Sequence, residues 1–228
     1  MVEIIIMIMA PILLSCCVII YNNFSQINRQ SGFVPKLKEF FKFNKNKLVT
    51  VIIGVLFGIG SMFLSHWYYG FSLEVSLKSL FIIEFLIAVA YIDYIKMIIP
   101  NKLLIFGFFS YFIFLAYEAI AYNYEILELL KVSGLGLLMG GGAFAFCSLI
   151  SKGGIGMGDI KLFSVLGILL GWQATFNVIF FSVLFVAVYG VYRVVRKKDS
   201  KKSSIPVGPF ALFGMITGVC LGMGGMMT

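Results

Sequence analysis

In a chain of 228 residues, 61% hydrophobic and only 12% charged, a mean hydropathy of +1.02 marks more apolar surface than a water-soluble core can hide. An all-α integral membrane protein is therefore expected, and a water-soluble domain is excluded. The net charge of +8 does not point to nucleic acid, because the basic residues lie in loops between apolar runs, the pattern of topology determinants.

Apolar runs at about 2–21, 48–69, 77–95, 103–122 and 129–150 are each long enough to cross roughly 30 Å of hydrocarbon as a helix. The first has no positive flank, only Glu3, and no small-residue cleavage site, so it reads as a retained span. The run from Ile160 to Val191 is interrupted only at Gly171-Trp172-Gln173-Ala174-Thr175, which makes it too long for one helix and short for two. A last run covers 205–226. Loop charge decides between one crossing and two. If 160–191 is a hairpin of two short spans turning near Trp172, the loops 22–47, 94–102, 151–161 and 193–202 share one side, with 16 of the 18 Lys and Arg residues. Only Lys78 and Lys131 remain for the other side. A single crossing would move six basic residues to the wrong face. The expected fold is a polytopic bundle of about eight transmembrane helices with both termini outside. Residues 1–228 form one membrane domain in this reading, with 22–47 as a short basic cytoplasmic loop.

Glycine recurs at i, i+4 as Gly54/Gly58, Gly136/Gly140, Gly167/Gly171 and Gly214/Gly218/Gly222, a spacing that lets helix backbones approach closely in lipid. The cluster Gly140-Gly141-Gly142 exceeds that need and is expected to let a helix bend. Cys16, Cys17, Cys147 and Cys220 all lie in apolar runs without a C-x-x-C, so neither a zinc knuckle nor a disulfide framework is indicated. No internal repeat is visible, nor are the matching broken helices of transporters.

The stretch from Ser151 to Lys161 is the one segment whose composition packing does not explain. Gly153, Gly154, Gly156 and Gly158 strip the backbone of side chains just before Asp159, where a new helix is expected to start. As a bland reading, Asp159 caps that helix. The topology, however, puts Asp93 at the inner end of the third span and Asp159 at the inner start of the sixth, at similar depth. The short sixth span implies that the surroundings of Asp159 are protein, not lipid. Asp199, the only further aspartate, lies in a basic loop. Two close carboxylates shielded from water share a proton, one activating a water while the other polarises and protonates the substrate. That chemistry hydrolyses a peptide bond without serine, cysteine or metal. The other routes are poorly supplied: His66 is the only histidine, an interfacial one expected to be solvated on the outer side, and no H-E-x-x-H is present. No metal and no cofactor are expected, and chelators should leave activity unchanged.

Gly156-Met157-Gly158-Asp159 resembles the G-x-G-D motif of intramembrane aspartic proteases, and the longer string to Leu162 is similar to the type IV prepilin peptidase family. Asp93 followed by Ile99-Pro100-Asn101 resembles that family's first catalytic aspartate and its downstream I-P-N. Ile205-Pro206-Val207-Gly208-Pro209-Phe210 looks like the family's opening to the last span. The resemblance covers roughly 80–225, the expected peptidase core. It implies Asp93 and Asp159 as catalytic residues, with Gly156, Gly158, Lys161, Pro100 and Asn101 near the substrate. It further implies cleavage of basic leaders from prepilins or pseudopilins with a hydrophobic N-terminal helix, at the cytoplasmic face of the cell membrane. Many members then N-methylate the product with S-adenosylmethionine. This chain departs from the pattern in its first loop, about 26 residues (22–47) without C-x-x-C, and in Ser15-Cys16-Cys17-Val18-Ile19, where the family has a G-S-F-x-N-like segment. Peptidase activity is expected; methyl transfer and zinc are not.

Glu84 lies nine residues before Asp93, half a turn away around the helix, and is expected in a polar contact to another helix. Lys161 points away from Asp159 on a regular helix, so it either snorkels, orients the loop or contacts substrate. The basic loops would repel a basic leader, so they serve topology. The alternative class is a small transporter or proton-relay protein using the same two aspartates. Such a protein would tolerate Asp→Glu with altered kinetics, whereas a hydrolytic dyad would not.

Overall fold

A computed structural model of the chain describes residues 55–56, 58–122, 125–152, 154–196 and 205–222. Among these the chain is helical, with no strand. The expected first span, the loop 22–47, Cys16 and Cys17, the loop beyond Arg196 and both chain ends lie outside the described residues. The fold divides into two units, Met1–Ala88 and Val89–Thr228.

In the first unit a π-helical turn, Phe63–Tyr68, precedes α1 (Leu73–Lys96), which belongs to both units. His66 is not simply solvated: its Nδ1 lies 2.9 Å from the Phe71 carbonyl oxygen, because the wide turn folds the ring back over the following backbone. α1 starts before the apolar run expected from residue 77, so Lys78 sits one turn inside the helix and is 6% exposed. Leu80, Ile82, Ile83, Leu86 and Val89 of the same helix are all buried.

The second unit contains α2 (Asn101–Tyr122), α3 (Ile126–Leu137), a π-helical turn (Leu138–Gly142), α4 (Ala143–Ile150), α5 (Met157–Val195) and α6 (Gly208–Cys220). Among the described residues, Leu73–Lys96, Asn101–Ile120, Ile126–Ile150 and Met157–Val195 are long and apolar enough to cross a membrane. α2 leaves Ile105, Phe109, Ile113 and Ile120 exposed, a stripe that water would penalise and lipid solvates. The protein is a multi-pass membrane protein.

α5 is broken at Gly171, whose φ of 74° and ψ of 176° only glycine adopts without steric cost. The chain reverses there. Gly140 packs against the carbonyl of Phe163 and lies close enough that a Cβ on it would be 3.4 Å from Thr175 Cγ2. On a straight helix those two residues would stand roughly 18 Å apart. The turn is therefore at Gly171, one residue before Trp172, and the second arm is not short, since it continues to Val195. The helix also begins at Met157, two residues before the expected start at Asp159.

The small-residue spacing becomes a backbone interface between α3 and the first arm of α5. A Cβ on Gly136 would collide with the Gly167 carbonyl, and one on Gly167 with the Gly136 carbonyl. The glycine cluster forms the π-helical turn, where Gly140 and Gly141 pack against the Phe163 carbonyl and the Ser164 hydroxyl while Gly142 stays open. On α6, Gly214 meets the Val178 carbonyl and the Ser182 hydroxyl, whereas Gly218 has open space around it. Phe144 and Phe163 stack at 4.1 Å beside this interface.

Candidate active site

Asp93 occupies the last turn of α1 and is 5% exposed. Its Oδ2 accepts a 2.8 Å hydrogen bond from the amide of Gly208, 115 residues away in sequence. That amide belongs to the start of α6, where helix N–H groups have no intrahelical partner and carry partial positive charge. Pro209 in the first turn costs nothing there, because its missing N–H would have had no helical acceptor. Glycine at 208 leaves room for this approach: a Cβ would stand 3.1 Å from Asp93 Cβ and Oδ2 and 3.2 Å from Ala90 Cα, so those neighbours would have to shift by a few tenths of an ångström.

Asp159 lies in the first turn of α5, half-buried, its own amide donating to the Gly156 carbonyl at 3.0 Å. A Cβ on Gly156 would lie 3.1 Å from Asp159 Oδ2. A Cβ on Gly158 would lie 3.3 Å from Ile99 Cβ, so the glycine segment runs against the I-P-N segment. Lys161 is exposed, and of its expected roles the loop-orienting one has a contact. Its Nζ donates to Asn101 Oδ1 at 3.1 Å, joining the same two segments a second time. The Pro100 carbonyl accepts the Leu103 amide at 3.0 Å and so opens α2; Pro100 stands behind the cavity, not in its wall.

A cavity of about 740 Å³ brings these residues together. Asp93 and Asp159 both line it, as do Gly156, Gly158, Lys161 and Asn101. The two carboxylates are close enough for their charges to act on each other. Asp159 and Ser182 share this wall because α5 reverses; a straight helix would separate them by roughly 34 Å. Much of the remaining wall is apolar, including Ile99, Phe144, Phe163 and Val183. Two carboxylates on an apolar cavity supply an acid and a base for adding water to a carbonyl. Glu84, 2% exposed, is not among the residues lining the cavity. Among the described residues, no three His, Cys, Asp or Glu side chains gather as a metal cluster would require.

Met97, the first residue past α1, adopts a left-handed conformation at φ 53°, its amide donating to the Asp93 carbonyl at 2.8 Å. For a non-glycine residue that conformation costs roughly 1 kcal/mol. Sequence reading missed Met97, and it missed that Gly208 is a partner of Asp93. The glycine in Ile205-Pro206-Val207-Gly208-Pro209 was the available signal, since a glycine between prolines marks a constrained backbone approached closely by something else.

Residues 80–191, which include both aspartates, match the family model described as the Type IV leader peptidase family. Over that stretch the chain is similar to this peptidase family. Among curated proteins it is 37% identical over 148 residues to the prepilin leader peptidase/N-methyltransferase of Bacillus subtilis, a match covering 65% of this chain and 56% of the relative. Proteins of the same name from Aeromonas salmonicida and Aeromonas hydrophila are 30% and 31% identical over 150 residues, covering 62% of this chain and 48% of each relative. The chain thus spans about half the length of the curated relatives it matches. No solved structure matches it.

Proposed function

We propose that the chain is a membrane-embedded aspartic endopeptidase that cleaves the leader peptide from type IV prepilins or pseudopilins. The observation that carries this reading is the convergence of three separated motif segments on one cavity. Asp93 is held there by the Gly208 amide, and Asp159 faces the same space. In the proposed reaction one carboxylate takes a proton from a water as its oxygen bonds to the scissile carbonyl carbon. The other, protonated, carboxyl gives its proton to the carbonyl oxygen. The resulting diol collapses: one of its hydroxyls returns a proton to the carboxylate that gave one. C=O re-forms as the C–N bond breaks, and the departing nitrogen takes up the proton from the carboxyl that received one from water. Both carboxyls end in their starting states, so Asp93 and Asp159 turn over without a covalent intermediate.

The chain would act in the cell membrane with eight spans and both termini outside, which puts the aspartates on the cytoplasmic side. The loop charges support that orientation. Its partner would be a prepilin or pseudopilin with a basic leader and a hydrophobic N-terminal helix. The short, cysteine-free loop 22–47 favours cleavage without N-methylation. Asp93→Asn and Asp159→Asn test the reading: each should abolish processing of a co-expressed prepilin while leaving membrane insertion intact. Near-normal cleavage by either variant would sink it.

A further inference from the structure

Among the described residues, two that are not glycine hold a left-handed backbone, Met97 at φ 53° and Lys152 at φ 50°. Each ends a helix, where glycine is the ordinary solution because it has no Cβ to clash. They differ in surroundings. Met97 lines the cavity that holds Asp93 and Asp159, whereas Lys152 is exposed and is not part of that wall. A strained residue persists where its side chain supplies something the strain-free residue lacks. At position 97 glycine would relieve the clash but remove an apolar side chain from the cavity.

That side chain has company. Met97 is 50% exposed, and Ile98 and Met157, which also line the cavity, are each 67% exposed. Methionine is unbranched and polarizable and fits apolar partners of different shape. The three add exposed apolar surface to the cavity wall near the aspartates in sequence, Met97 and Ile98 following Asp93 and Met157 preceding Asp159.

We propose that Met97 is a specificity-determining residue, kept in a left-handed conformation so that its side chain receives an apolar side chain beside the scissile peptide bond. The proposal rests on the endopeptidase reading above and deepens it. The test uses purified full-length chain and a prepilin series in which one residue flanking the scissile bond is Phe, Leu, Ala or Ser. Met97→Gly should raise KM for the Phe and Leu substrates about tenfold with kcat within twofold, a loss of uniform apolar binding. The effect should vanish for Ala and Ser, and thermal stability should hold or rise. Met97→Leu should restore most of the binding, and Lys152→Gly should leave KM unchanged. A KM that Met97→Gly does not move, an equal shift for all four substrates, or a fall in kcat alone would overturn the proposal. The same series is measured for binding to Asp159→Asn chain, with and without Met97→Gly. If the unsubstituted chain cleaves no prepilin, the endopeptidase reading fails by itself. Binding weakened by Met97→Gly for Phe and Leu only would still sustain the role of Met97, and unchanged binding would refute it.

Discussion

Two sets of glycines do opposite work in this protein. At the α3–α5 interface, Gly136 and Gly140, four residues apart, face the arm of α5 that carries Gly167, and a Cβ on any of the three would run into a backbone carbonyl of the neighbouring helix. At the cavity, Gly156 and Gly208 stand against the carboxylates of Asp159 and Asp93. The first set removes side chains so that two helices can touch. The second removes them so that an amide can reach an acid. Composition does not distinguish the two, but their expected consequences do: substitution of the interface glycines should cost stability, and substitution of those beside the acids should disturb the geometry of the proposed dyad.

Substitution at Gly208 should separate these roles most clearly. Gly208→Ala puts a methyl group 3.1 Å from Asp93 Oδ2 and should push the carboxylate a few tenths of an ångström against its amide donor. Cleavage should fall roughly tenfold, less than the roughly 100-fold that misplacing a reacting group by about 1 Å costs. Thermal stability in detergent should change little. A Tm drop in proportion to the lost activity would put Gly208 in the interface set. Gly136→Ala makes the reverse case. Its methyl group meets the Gly167 carbonyl, so overpacking of about 1–3 kcal/mol should lower Tm and reduce the yield of folded protein. Specific activity of the surviving fraction should stay near normal.

Lys161→Met sharpens the comparison, because side chains rather than bare backbone join the segments at that point. It keeps the apolar stem and deletes the donor to Asn101. An exposed hydrogen bond contributes a net of about 0.5–1 kcal/mol, so a loss of roughly threefold in kcat/KM is expected. Asn101→Ala should match it, and the double variant should be no worse than either single one. The smallest effect is none at all: mass spectrometry of pilin matured by this chain, in a host lacking any other methylating enzyme, should show an unmethylated first residue.

How much of this could be read without coordinates depends on the range of the interaction. Apolar length anticipated the four described helices long enough to cross a membrane, and the interruption Gly171-Trp172-Gln173-Ala174-Thr175 put the turn of α5 within one residue of Gly171, because both are properties of a continuous segment. The glycine spacing anticipated the contact of Gly136 with Gly167, because i, i+4 places residues on one helix face. The contact of Gly208 with Asp93 spans 115 residues and two elements, and no local period encodes it. Lys161 was placed pointing away because a regular helix separates it from Asp159; its partner, Asn101, lies on another helix. The backbone of Met97 was equally hidden, since nothing in Lys96-Met97-Ile98 advertises a left-handed turn.

The central claim is that Asp93 and Asp159 act as one unit on the cavity they share, and a double-substitution cycle tests it most directly. Purified unsubstituted chain, Asp93→Asn, Asp159→Asn and the double variant are compared in single-turnover cleavage of a prepilin. Members of one catalytic unit are strongly non-additive, so each single variant should fall by roughly 1000-fold or more and the double variant should be no slower than either. A single variant that keeps near-normal cleavage, or a double variant that loses the product of the two single losses, would contradict the account.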